Sequence, residues 1–454
     1  MSTLNVDKVD PSTGTDLEIG TSGDTITVPT GAGLTVTDEV KTNKISPATG
    51  TAFALGDSGD TFTVPSGATI VNSGTATGFG ITSASFLPTA QPLIINGNMA
   101  VAQRATSVTG ITSDGYNTCD RWLVRATNGG TWTQTQETLT ADEAYEDGFS
   151  NSLKMDNTTA DASLGAGDYI RMMYRIESQD LQLLKFGSST AEKLTLAFWV
   201  KATKTGTYVV ELYQSDDNRS CSKSYTVSST NTWEFKILNF PADTTGVMDN
   251  NNGVGMEIIM WMAAGTDYTS GTLNETWGAI VSANRAVGQV NAADSTSNNF
   301  EITGVRLEVG EYTSADLPPF RHESFADNLR RCCRYYYKMY AEGSYAEFAQ
   351  GLCYGTNAAN VNVFHPVPMR DEPSIETTGT ASNYAVFISS RAQCDAVPAI
   401  GSNSTNIGAG AATNSDIQQS RVDCSASGLL TAQTPGMLCA NNTTAAYLGF
   451  SSEL

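Results

Sequence analysis

The feature that most constrains this chain is a two-residue period. In "KLTLAFWVKA", Leu194, Leu196, Phe198 and Val200 fall on one face, because successive side chains of an extended strand point to opposite sides. "TWEFKIL" groups Trp233, Phe235 and Ile237 in the same way. "NFEITGVRLEV" opens with Phe300 and Ile302 in one parity and closes with Val305, Leu307 and Val309 in the other. One extra residue at Gly304 reconciles the two halves, as a β-bulge does. Strands of this length, separated by long polar loops, predict an antiparallel, jelly-roll-like β-sandwich over residues 91–320.

Composition agrees with an all-β chain. Thr, Ser, Gly, Asn and Ala dominate the loops, and runs of helix-favouring Lys, Glu and Leu are few. One helix is expected, at 324–341 in "SFADNLRRCCRYYYKMY", where Phe325, Leu329, Cys332, Cys333, Tyr336, Tyr337 and Tyr340 recur at helical spacing. Its aromatic face suits docking between domains or subunits. A second β domain is expected at 342–454. The 454 residues carry 26 Lys and Arg against 47 Asp and Glu, a formal net charge of −21. Such a chain is a poor partner for nucleic-acid phosphates and is repelled from anionic membrane surfaces. "MSTLNVDKVD" lacks the basic and apolar regions of a signal peptide, and the apolar run around "EIIMWMAAG" is too short to span a bilayer. No nucleic-acid partner and no membrane insertion are therefore expected.

Residues 1–80 have a different organisation. Pro11–Gly31 and Pro47–Gly67 match at 13 of 21 positions. Each copy reads as two brief strands around a Thr-Ser-Gly-Asp or Asp-Ser-Gly-Asp turn, closed by Pro and Gly. The second copy contains "GDSG", which is how chymotrypsin-like proteases present a nucleophilic serine. Asp57 is matched by Thr21, however, and the two histidines, His322 and His365, both follow Ser58. A serine without a base is no nucleophile, so Ser58 is a turn residue. Two hairpin repeats cannot bury a core by themselves. Other copies of the chain would have to supply it, which points to a thin homotrimeric stalk that also attaches to other proteins.

Candidate chemistry is sparse. The eight cysteines form no CxxC pair and read as buried free thiols, so no metal and no cofactor is expected. "DNNNG" at 249–253 has the wrong glycine spacing for an EF-hand and reads as a polar turn. The acidic cluster Asp142, Glu143, Glu146 and Asp147 sits in a loop and reads as solvated surface. No phosphate loop, HExxH or GxSxG is present.

Several segments, in their order along the chain, resemble a known family. They are "PLIINGNMAVAQRATS", "YNTCDRWLV", "LAFWVKA", "VGQVNAADSTSNNFEITGVRLEVGEY", "RYYYK", "HPVPMRDEPSI" and "YLGFSSEL". These resemble tail-fibre and receptor-binding proteins of tailed bacteriophages, and the N-terminal repeats resemble those opening fibre-like proteins of marine and cyanobacterial phages. The resemblance covers nearly the whole chain. It implies a virion fibre protein, assembled in the host cytoplasm, whose N-terminal region meets other virion proteins. It also implies a jelly roll similar in outline to carbohydrate-binding modules. "NGNM" at Asn96–Met99 lacks the acidic and aromatic pair that often helps such modules hold a structural calcium.

The expected function is host attachment by non-enzymatic binding of a surface saccharide. Sugars present C–H faces to aromatic rings and hydroxyls to polar groups, so aromatics in polar loops are the candidates: Trp277, Tyr268 and Tyr145. Trp122, Trp199, Trp233 and Trp261 lie in strand-like runs and read as core, with Trp132 undecided. The alternatives are a purely structural head or tail decoration protein and a glycan-degrading tailspike-type enzyme. Symmetric closure of the stalk predicts a parallel trimer of 48.1 kDa chains, about 144 kDa, by light scattering on the full chain. A stable monomer would contradict it.

Overall fold

The computed structural model describes residues 92–396, 398–400, 416–426 and 430–454. The repeat region and its stalk reading, Ser58 included, lie outside the described residues. The remainder is nearly all β, in antiparallel ladders, and the expected sandwich is there. Its first sheet has six strands in the order β1 (Ser107–Ile111), β4 (Thr131–Thr138), β5 (Asn151–Thr159), β13 (Asn299–Val309), β7 (Leu194–Ala202), β10 (Glu234–Phe240). The second has seven: β12 (Gly278–Ala279), β9 (Arg219–Val227), β8 (Gly206–Gln214), β11 (Val254–Ala264), β6 (Tyr169–Glu177), β3 (Trp122–Thr127), β2 (Gly115–Tyr116).

The core takes Leu196, Phe198 and Val200 from β7, and Ile170, Met172 and Tyr174 from β6. From β13 it takes Phe300, Ile302, Val305 and Leu307, so the parity switch read from the sequence is real. Thr303 pairs with Trp199 and Arg306 with Ala197, two steps on one strand made in three on the other. Gly304 sits in the bulge at φ +62°, a left-handed conformation that glycine adopts without a Cβ penalty. A Cβ there would also lie 2.6 Å from the Phe149 ring.

"NGNM" has a structural use. Asn96, at φ 59° and buried, donates to the carbonyls of Val101 and Asp120 and accepts from the Val101 amide. Its own amide donates to the Asn328 side chain at 3.1 Å, tying the entry segment to the far end of the sandwich sequence.

Among the described residues the α-helices are α1 (Glu143–Glu146), α2 (Thr266–Thr269) and α3 (Phe325–Cys332). The last corrects the expected 324–341 helix. Ser324 caps it, accepting from the Asp327 amide at 3.1 Å, and the helix stops at Cys332. "YYKMY" becomes instead β14 (Tyr336–Tyr340). Aromatic residues favour strands, and β23 (Tyr447–Ser451) offers a matching edge, with Tyr337 opposite Phe450. The helical spacing of these tyrosines was coincidental, because a partner strand 107–115 residues downstream decided their conformation. β17 (Ser374–Glu376) completes this three-stranded sheet.

Seven further strands form a last sheet, in the order β19 (Arg391–Gln393), β18 (Tyr384–Phe387), β22 (Thr434–Ala440), β15 (Glu347–Cys353), β16 (Ala358–Phe364), β21 (Gln419–Ser425), β20 (Ala399–Ile400). A second core lies beneath them, including Val361, Tyr384, Val386, Leu438, Leu448 and Phe450. All eight cysteines are buried and free, as expected.

Both cores belong to one compact unit, and an arginine cluster joins them. Glu453, which is almost fully buried, accepts from Arg121 and, at 3.3 Å, from Arg104. Arg121 lies 3.4 Å from the Tyr335 ring centre, and Arg104 lies 3.5 Å from that of Tyr336. The Tyr335 hydroxyl and the Arg334 guanidinium both donate to Glu177 at the end of β6. Arg370 donates to the Ser452 carbonyl at 2.7 Å. The aromatic run thus docks between two β regions, as its apolar character suggested, but as strand and turn. Removing one partner of a buried ion pair strands the other. Glu453→Ala should therefore cost about 3–5 kcal/mol in chemical unfolding, whereas a surface change such as Glu372→Ala should stay within about 0.5 kcal/mol.

Candidate functional site

The solvent side of the six-stranded sheet holds the site. Strand parity sends Leu196, Phe198 and Val200 inward, so Trp199 must point outward. Opposite it on β10, Phe235 does the same, and the two rings meet at 5.2 Å between centroids, tilted by 49°. On the other side of β7 the bulge turns Arg306 to this face, with its guanidinium 5.6 Å from the Phe235 ring centre. The three side chains, with Phe149, Asp147, Phe320 and His322, line a pocket of about 340 Å³. That lies within the range of small-molecule sites, about 300–1,000 Å³.

Two segments outside the sheet wall the pocket. One is the loop 139–150 carrying α1, held down by Leu139, Ala144 and Phe149, which pack against Trp233. Phe149 fills the space that the missing Gly304 side chain leaves. The acidic residues of this loop are more than solvated surface. Asp142 caps α1 through the Tyr145 amide at 3.0 Å and accepts from the Trp233 indole at 2.7 Å. Asp147 accepts from the Trp199 indole at 3.1 Å, which orients that ring. The other wall is the 319–322 segment, where Phe320 packs edge-on against Phe149 at 4.9 Å and against His322 at 4.9 Å.

Charge in the pocket is uneven. Burial pulls the Arg306 guanidinium below its ordinary pKa, with Glu308 and Asp147 pulling the other way. Burial pushes Glu308 up, partly offset by Arg321 at 3.9 Å and by Arg306. Beside the pocket the same face is polar: Lys201 pairs with Glu301 at 2.8 Å, and Lys154 with Asp156 at 3.0 Å, around a second recess of about 240 Å³. Among the described residues no group of three His, Cys, Asp or Glu is placed to hold a metal ion.

The sequence candidates are not brought together. Tyr145 is exposed on α1, in the loop that walls the pocket. Tyr268 lies on α2, over the outer face of the other sheet, with its ring 5.2 Å from Trp261 and 5.6 Å from Tyr169. Trp277, half-buried, packs edge-on against Phe186 at 5.3 Å, and its indole donates to the Pro241 carbonyl at 2.7 Å. Trp122, Trp132, Trp233 and Trp261 are buried. Trp199 is the exception among the strand tryptophans, partly exposed in the pocket. Its parity, opposite to that of Leu196 and Phe198, was the available signal.

No family model and no curated protein matches the chain. Among solved structures, it is similar to the enzymatically active domain of bacteriophage CBA120 tailspike protein 4 at 13% identity, over 48% of this chain and 21% of that one, with a TM-score of 0.23. It is similar to a family 4 carbohydrate-binding module at 13% identity, over 47% and 97%, with a TM-score of 0.24. The family 11 carbohydrate-binding module of a Clostridium thermocellum cellulosomal cellulase gives 13% identity, 46% and 98%, and 0.23. The chain thus spans about a fifth of the tailspike domain's length. Scores this low carry no argument about function, which must come from the pocket itself.

Asp142 supports both the α1 cap and the Trp233 contact. Asp142→Ala should loosen the 139–150 loop by about 1–2 kcal/mol. Hydrogen exchange should quicken there while the β6 and β11 amides keep their protection.

Proposed function

We propose that the outer face of the six-stranded sheet binds a saccharide without cutting it, and that the chain is a virion fibre protein using this contact to attach a phage to its host. The observation that carries the binding reading is the Trp199–Phe235 pair, two rings side by side in a pocket flanked by Arg306 and Asp147. Apolar ring faces suit the C–H faces of a sugar, and a guanidinium and a carboxylate nearby suit its hydroxyls, the first donating and the second accepting. The attachment reading is supported by the phage-fibre resemblance of the ordered motifs and by the N-terminal repeats. A homotrimer would present three such faces, so weak contacts would multiply across a particle.

The test is a glycan-array screen of the 83–454 fragment, which includes the whole described compact unit, followed by titration of the best ligand. A ring stacked on a sugar contributes about 1 kcal/mol, by analogy with aromatic pairs. Trp199→Ala should therefore weaken binding roughly fivefold to tenfold, with circular dichroism unchanged. Trp277→Ala should lower stability and leave the affinity within about twofold. The reverse pattern would move the site to the other sheet. Release of reducing sugar ends by the purified protein would make the chain an enzyme.

A further inference from the structure

Arg306 is the residue in the pocket that ordinary packing does not explain. It is only 9% exposed, yet its Nε and Nη1 are buried and have no hydrogen-bond partner among the described residues. Other buried or half-buried arginines are ion-paired: Arg121 with Glu453, Arg219 with Asp243, Arg334 with Glu177. An unpaired buried guanidinium costs several kcal/mol in desolvation without return. Arg171 has the same two nitrogens without a partner, but it lies over two rings, Tyr169 at 4.6 Å and Trp261 at 4.7 Å, whereas Arg306 has only Phe235 at 5.6 Å and lines a pocket.

The nearby carboxylates are already engaged. Asp147 holds the Trp199 indole, and Glu308 faces Arg321. Neither lies within 4.0 Å of the Arg306 nitrogens, since no ion pair joins them. Phe235 and Trp199 form an apolar wall beside the cation, which excludes water and strengthens any charge pairing made there.

Resting on the saccharide reading above, we infer that the pocket selects an acidic sugar, with Arg306 pairing to the carboxylate of a uronate residue while Trp199 receives the adjoining ring face. The planar fork of a guanidinium matches a carboxylate in two parallel hydrogen bonds. As the side chain lies, both nitrogens are covered, so the pairing includes a turn of the guanidinium toward the pocket. The chain is strongly acidic as a whole, −21, and would repel a polyanionic glycan except where a local cation offsets that field. Selectivity then resides in this one contact and not in bulk attraction.

The experiment compares uronate-containing oligosaccharides with the same oligosaccharides after their carboxyl groups are reduced to primary alcohols, by calorimetric titration of the 83–454 fragment. The native form should bind at least tenfold more tightly than the reduced form. In Arg306→Gln that ratio should fall to within twofold, because the native form loses far more affinity than the reduced form does. Arg306→Lys, which keeps the charge and loses the fork, should fall between. Equal binding of the two forms to the wild-type fragment would overturn the inference and leave the saccharide reading standing. A preference that persists in Arg306→Gln would also overturn it. Failure of the wild-type fragment to bind any glycan, neutral or acidic, would remove both readings. The wild-type comparison decides the matter even if a variant does not fold.

Discussion

The candidate site depends on one irregularity, the bulge at Gly304. A strand has a period of two, so a slip of one residue exchanges its two faces. Phe300 and Ile302 fix the first half of β13 with its apolar side inward. Continued without interruption, the same strand would drive Arg306 and Glu308 into the core and expose Val305 and Leu307. The extra residue prevents this. It keeps the apolar set buried on both sides of the bulge and delivers Arg306 to the solvent face beside Phe235. It also leaves a notch that the Phe149 ring fills, so one local distortion sets both the floor and one wall of the pocket.

The loop 139–150 shows how that wall is held. Its anchors are not a regular element but two indole N–H donors, Trp199 and Trp233, each taken by an aspartate of the loop. A buried indole needs an acceptor, and a short polar loop needs reasons to stay in place. Each requirement meets the other. The carboxylates that looked like a solvated cluster are therefore partly consumed in orienting aromatic rings. On the opposite sheet the aromatic lid of Tyr268 over Trp261 and Tyr169 serves packing, with Arg171 between the latter two rings at 4.6 and 4.7 Å.

The two β regions are held together by charge as well as by apolar contact. Glu453 draws Arg104 and Arg121 to the last residues, and tyrosines 335 and 336 stack on those same guanidiniums. Cation–π contacts and ion pairs share the same cations. This geometry requires extended backbone from Tyr336 onward, which accounts for the short α3.

Much of this was determined by the sequence alone. Alternation in β7, β10 and β13 gave the sandwich, and the parity switch marked the bulge, because strand faces are set by local stereochemistry. Parity even assigned Trp199 to the outside, although its place in an apolar run made it read as core. The sequence could not show which outward side chains meet. Asp147, Trp199, Phe235, Arg306 and Phe320 come from five separate stretches, and strand order, which no local pattern encodes, brings them together. The loop aromatics Trp277 and Tyr268 looked available because their neighbours in sequence are polar, yet their neighbours in space are Phe186 and Trp261. "YYKMY" became a strand for the same reason: the unpaired edge of β23 decided its conformation, and that edge exists only in the folded chain.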